Sequence, residues 1–132
     1  MDNVTKVAVC SRSFSKNSVL RSELLRRFKN VKFNDKGISL SGDSLIDFLD
    51  GQDSAIVALE VINDDILSAL PQLKVIGKYG VGLDKLDFCA LEKHDVRVGW
   101  TPGVNALAVA ELALNLALTI VRKTLISNQV AK

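Results

Sequence analysis

This sequence predicts an α/β domain built on a parallel sheet, and three observations carry the prediction. Short segments rich in β-branched residues alternate with amphipathic ones through the first hundred residues. Several of the short segments are apolar on both faces, as strands covered by helices on either side must be. Two of the intervening segments open on capping residues and close at Gly51 or Pro71.

The strand candidates are "KVAVC" (6–10), "VKF" (31–33), "AIVAL" (55–59), "LKVIGKYG" (73–80) and "VRVGW" (96–100). The first helix is expected over 17–28, "NSVLRSELLRRF", with Val19, Leu20, Leu24 and Phe28 on one face and charges on the other. "DSLIDFLD" (43–50), "NDDILSAL" (63–70) and "DKLDFCALEKH" (84–94) supply three more. Five strands joined by four crossover helices suit the flavodoxin-like strand order 2-1-3-4-5. That order places ligands at the carboxyl ends of the strands.

The last segment is of another kind. "VNALAVAELALNLALTIVRK" (104–123) reads as one long, apolar C-terminal helix whose polar residues Glu111, Asn115, Thr119 and Arg122 form a single narrow stripe. Glu111 and Asn115 interrupt the apolar run and argue against a membrane span. The helix is therefore expected to be buried on nearly all sides, in a core or an interface.

Bulk properties exclude several classes. At 132 residues, 48% hydrophobic and 24% charged, the chain has the size and composition of one soluble domain. Its net charge of +2 comes without a basic block, so no nucleic-acid partner is expected. Arg12, Lys16, Arg21, Arg26, Arg27 and Lys29 gather near the first predicted helix and read as a solvated face. Cys10 and Cys89 lie in apolar settings and read as buried thiols. No CxxC pair is present and His94 lacks neighbours at ligand spacing, so no metal is expected. His94 itself reads as a solvated residue at a helix C-terminus. The N-terminus lacks the basic start and apolar run of a signal peptide, which points to the cytoplasm.

Two stretches carry chemistry. "KYGVGLD" (78–84) follows the apolar run "LKVI", and with a helix starting near Asp84 it forms a strand–turn–helix unit. Gly80 and Gly82 let backbone N–H groups point into a cleft, where they hold an anion such as a carboxylate. The dinucleotide pattern GxGxxG fails at Lys85, and a Walker loop is absent as well. By itself the pair reads equally as a tight turn. In "WTPGVNALAVAE" (100–111), Thr101-Pro102-Gly103 makes a turn and Asn105 is placed to cap the long helix.

In combination, "AIVALEVINDDIL", "LKVIGKYGVGLDKLD" and "TPGVNALAVAE" resemble, in order and spacing, the D-isomer-specific 2-hydroxyacid dehydrogenases, in particular their phosphoglycerate-dehydrogenase-like branch. The resemblance is strongest from 53 to 123. It implies a two-domain enzyme in which a flavodoxin-like substrate-binding ("catalytic") domain faces a Rossmann domain that binds NAD. Residues 1–103 then form the first domain, and 104–132 form an interdomain helix leading to the NAD-binding domain. The resemblance assigns Gly80, Val81 and Gly82 to the substrate carboxylate, with Val81 against the nicotinamide as well. It assigns Asn105 to the substrate cleft and Glu60 to the rim of the pocket. Thr101 to Gly103 become the domain crossover, and Thr101 joins Val81 as a cofactor contact.

The resemblance also has gaps. The family's catalytic His, its acidic partner, its substrate-binding Arg and its GxGxxG all fall beyond the matched residues, so no catalytic residue is assigned and the isolated chain is expected to be inactive. Where some phosphoglycerate dehydrogenases carry Arg-Ser after the third strand, this chain reads "VALEVI". Glu60 there disfavours a phosphate and favours an uncharged or smaller 2-hydroxy acid. The competing reading is a stand-alone module of the same fold that holds a small carboxylate or regulates a partner. A receiver domain is a third reading, disfavoured because "CSRSFS" replaces its acidic pair. Exposed apolar surface on the last helix implies self-association through it.

Overall fold

The structure is a computed structural model and describes residues 5–123. Residues 1–4, the start of the stretch read for a leader, and residues 124–132 of the expected interdomain segment lie outside it. The described chain divides into two units after Thr101.

The first unit is an all-parallel sheet in the order β2-β1-β3-β4-β5, as the alternation of segments predicts. Its strands are β1 (Lys6–Val9), β2 (Asn30–Phe33), β3 (Ser54–Val57), β4 (Val75–Lys78) and β5 (Arg97–Gly99). Register runs unbroken, with Val9 opposite both Phe33 and Ile56, and Val57 opposite Lys78. The carboxyl ends of β1, β3 and β4 therefore lie side by side.

Each strand is followed by helical structure. The segment after β1 differs from the expected single helix over 17–28. Two helices form, α1 (Arg12–Lys16) and α2 (Ser18–Arg27), because Ser11 Oγ accepts from Phe14 N and Asn17 Oδ1 from Val19 N and Leu20 N. Two side-chain caps six residues apart stop one helix and start the next. The expected apolar face of α2 is not buried: Val19 is 74% exposed, and no residue of the helix is fully covered.

The remaining helices of this unit are α3 (Gly42–Leu49), α4 (Asp64–Ala69) and α5 (Phe88–Lys93). For α3 the cap is Ser41 rather than Asp43, and Ser44 Oγ accepts from the Ser41 N–H at 3.0 Å. Asn63 Oδ1 caps α4 through Ile66 N, and Asp87 Oδ1 caps α5 through Ala90 N. The start of α5 is a correction. It lies at Phe88, not near Asp84, because Leu86 pairs with Ile62 in an isolated parallel bridge that holds the preceding residues extended.

The core is one apolar cluster that includes Ala8, Leu45, Leu49, Val57, Ile62, Leu67, Leu70, Leu73, Ile76 and Leu91. At roughly 1.5–3 kcal/mol per buried aliphatic side chain, this cluster is the main source of stability. Cys10 joins it, as expected, whereas Cys89 is exposed on the outer face of α5. His94 is not simply solvated. As the residue after α5, its Nε2 lies 2.7 Å from Asp64 Oδ1, tying α5 to α4.

The second unit is the helix α6 (Ala106–Val121), shorter at both ends than the expected 104–123. None of its residues is buried, which corrects the expectation of a helix covered on nearly all sides: Leu107 is 73% exposed and Ile120 74%. Its polar stripe is as predicted, with Thr119 Oγ1 donating to Asn115 Oδ1 one turn earlier at 3.3 Å. Asn105 occupies the N-cap position, but its side chain makes no capping bond. No helix among the described residues is long and apolar enough to cross a membrane.

Candidate active site

A cleft of about 580 Å³ opens at the carboxyl ends of the strands, where the sheet order places ligands. It is lined by the loop and helix after β1 (Ser11, Arg12, Ser13, Lys16), the loop after β2 (Gly37, Ser39, Leu40), the residues after β3 (Ala58, Leu59, Glu60) and Tyr79 after β4.

The walls are fixed by buried polar contacts. Asn34, 2% exposed, donates from Nδ2 to Cys10 O at 2.9 Å and to Ile38 O at 2.8 Å, and its Oδ1 accepts from Ile38 N. Its own N–H donates to Ser15 Oγ. One amide thereby clamps the loop after β2 to the end of β1, and every polar atom of its side chain is used. Arg21 ties α2 to the same wall, donating to Ser15 O at 2.8 Å, pairing with Asp35 and lying 3.9 Å from the centre of the Phe33 ring.

On the opposite wall, Glu60 is nearly covered, and its Oε2 accepts from Ala58 N at 2.7 Å. This carboxylate closes the turn after β3 on itself. Glu60 is one of the residues lining the cleft. Lys78 crosses from β4 to the same turn and donates from Nζ to Ala58 O at 2.7 Å. Beneath this wall, burial and the nearby Glu60 carboxylate push the Cys10 thiol well above its ordinary pKa, so it stays protonated.

The glycine turn follows directly. Tyr79 N donates to Val57 O at 2.8 Å, the last rung between β3 and β4. Gly80 then takes φ +117, a conformation that L side chains rarely adopt. Among the described residues, the N–H groups of Gly80, Val81 and Gly82 meet no acceptor. The Val81 carbonyl accepts from Trp100 Nε1 at 3.2 Å, which anchors the turn to the chain after β5. The helix-start contribution expected at this turn is absent, because α5 begins six residues after Gly82. Any anion here is held by the open amides alone.

Glu60 and the residue preceding Gly80 thus share one cleft. Thr101 ends the first unit as an exposed residue, and Asn105 belongs to the second. The dinucleotide itself does not fit these residues: the turn has no third glycine and no helix start beneath it to take a pyrophosphate. Val81 and Thr101 offer contact surface but no phosphate cradle.

Sequence reasoning missed Asn34 and Tyr79 and read Arg12 and Lys16 of α1, which line the cleft, as part of a solvated face. Only α1 carried a legible signal, a Ser11 cap three residues before Phe14.

Comparison with known proteins agrees with this architecture. Residues 7–130 match the family model described as D-isomer specific 2-hydroxyacid dehydrogenase, catalytic domain. Glyoxylate/hydroxypyruvate reductase A of Arabidopsis thaliana is 31% identical over 127 residues, covering 93% of this chain and 38% of that protein. D-3-phosphoglycerate dehydrogenase of Synechocystis is 31% identical over 117 residues, covering 84% of this chain and 21% of its own length. The fold is shared with NAD+-bound 3-phosphoglycerate dehydrogenase of Entamoeba histolytica at a TM-score of 0.70 and 23% identity, over 87% of this chain and 38% of that one. The chain therefore spans well under half the length of the proteins it matches. Sheet order, glycine turn and the match over nearly the whole sequence lead to one conclusion: the chain belongs to the D-isomer specific 2-hydroxyacid dehydrogenase family and corresponds to its catalytic domain.

Proposed function

We propose that this chain is the substrate-binding part of a nicotinamide-dependent D-2-hydroxyacid dehydrogenase. The observation that carries the proposal is the set of three open amides at Gly80, Val81 and Gly82, beside a cleft floored by the ends of β1 and β3. Backbone donors that are free and fixed in place suit a carboxylate, which accepts on both oxygens. Hydroxypyruvate, glyoxylate and related 2-oxo acids are the substrate class, in keeping with the names of the relatives. NAD is the cofactor, supplied by a Rossmann domain in the complete enzyme, with Val81 and Thr101 as its contacts on the first unit. In that arrangement residues 1–103 hold substrate and the segment from 104 joins the two domains.

Among the described residues no phosphate cradle is present, so this chain alone is expected to bind without turning over. The exposed apolar length of α6 supports self-association through that helix. Two free cysteines, one of them exposed, fit a reducing, cytoplasmic compartment. The test is steady-state NADH oxidation by the purified chain with hydroxypyruvate, glyoxylate or pyruvate. No turnover, together with saturable binding of the same acids, is the expected result; turnover overturns it.

A further inference from the structure

We infer that Arg12 and Lys16 make this cleft prefer 2-oxo acids that carry a second anionic group, away from the carboxylate held at the glycine turn. The inference rests on the reading of the cleft as a 2-oxo-acid site and specifies the substrate within that class.

The basic residues near α1 divide into those paired with carboxylates and those, Arg12, Lys16 and Lys29, without such a partner among the described residues; Lys29 does not line the cleft. Arg21 pairs with Asp35, and Arg26 and Arg27 both pair with Glu23. These charges are spent on the surface. Arg12 and Lys16 have no carboxylate partner among the described residues, and both line the cleft. They sit at i and i+4 of one helix, so their side chains share a face.

That face is held against the substrate end. Phe14 of α1 is buried and packs edge to face on Tyr79, the residue that leads into Gly80. Lys16 reaches across to the loop after β2, where its Nζ lies 3.7 Å from where a Cβ on Gly37 would stand. A Cβ at Gly37 would stand in ordinary van der Waals contact with it. The cations are thus placed by packing, on the wall adjoining the open amides.

Charge and size decide the class. The lining carries two cations and one carboxylate, Glu60, whose Oε2 is already committed to Ala58 N. A monocarboxylate at the glycine turn leaves Arg12 and Lys16 unmatched. A cleft of about 580 Å³ has room for a longer acid as well. Ser11, Ser13 and Ser39 add hydroxyls that accept or donate to an oxyanion. The Glu60 carboxylate alone argues against a distal anion; the unpaired cations on α1 outweigh it.

The test compares affinities by calorimetry on the full chain at low ionic strength. Pyruvate is the monoanion; oxaloacetate and 2-oxoglutarate carry a second carboxylate, and 3-phosphohydroxypyruvate a phosphate. Expected is binding of at least one dianion about tenfold tighter than pyruvate, falling as salt is raised. In Arg12→Ala/Lys16→Ala the dianion loses more affinity than pyruvate, so the preference drops to about twofold or less, and Arg12→Lys/Lys16→Arg keeps it. Which dianion gains assigns the distal group. Equal binding of pyruvate and all dianions overturns the inference and leaves the 2-oxo-acid site standing. So does an equal loss of every acid in the double variant. Binding of no acid overturns both.

Discussion

Phe14 and Tyr79 meet edge to face, ring centroids 5.3 Å apart at an angle of 81°. This pair joins α1, which follows the first strand, to the turn that follows the fourth. It links the helix that carries Arg12 and Lys16 to the residue leading into the open amides. Phe14→Ala is expected to cost about 3 kcal/mol in urea unfolding, combining the buried ring with the aromatic pair. Tyr79→Phe, which keeps the ring, is expected to leave stability within about 0.5 kcal/mol.

Gly80 is the residue of the turn that tolerates no side chain. At φ +117, Gly80→Ala strains the backbone by about 1–3 kcal/mol. At Gly82 the φ is ordinary, and an added Cβ meets only Asp84 Oδ1 at 3.1 Å, the movable end of an exposed side chain. Thermal unfolding of both variants is expected to show the larger loss at Gly80, with 2-oxo-acid binding falling alongside it.

Asn34 is the clamp of the far wall. Replacing it by Ala strands the Cys10 and Ile38 carbonyls and opens a small gap. A loss of about 2–3 kcal/mol is expected from chemical denaturation.

The two thiols are expected to behave oppositely toward a thiol reagent. Cys89 is exposed and reacts in the native protein, while Cys10 reacts only after denaturation. Burial raises the pKa of Cys10 above its ordinary value of 9.0, so the folded state resists ionising it. The sign follows: above about pH 9 the unfolded chain releases this proton first, and Cys10→Ala should lose less stability there than the parent chain does.

Asp64 supplies an acid-side counterpart. Hydrogen bonds from Lys93, then His94, hold its carboxyl below the ordinary 3.8. A depressed carboxyl stabilises the fold above pH 3.8 and ceases to do so as pH falls through its folded value. Asp64 is solvent-exposed, so the effect is modest. Stability curves from pH 6 downward should converge for the parent chain and Asp64→Asn at the acid end.

Much of the fold was legible because strand and helix periods differ and Asn63, Gly51 and Pro71 punctuate them. The break at Asn17 was not, because the helical pattern runs across it and only two side-chain caps enforce it. The late start of α5 escaped for a related reason: the Ile62–Leu86 bridge is a long-range pairing that no local pattern records. At the site, the glycine turn could be read from residue type and spacing, while Glu60 came only through the family resemblance. Asn34 and Tyr79 act through contacts distant in sequence, with Cys10 and Phe14, which only the fold brings into reach.

The amides of Gly80, Val81 and Gly82 are proposed to receive a 2-oxo acid's carboxylate. The most direct test is an amide-resolved NMR titration of the chain with pyruvate. Saturable shifts of these three amides and of Tyr79 are expected. Saturable shifts that spare residues 80–82, or no shifts at all, would contradict it.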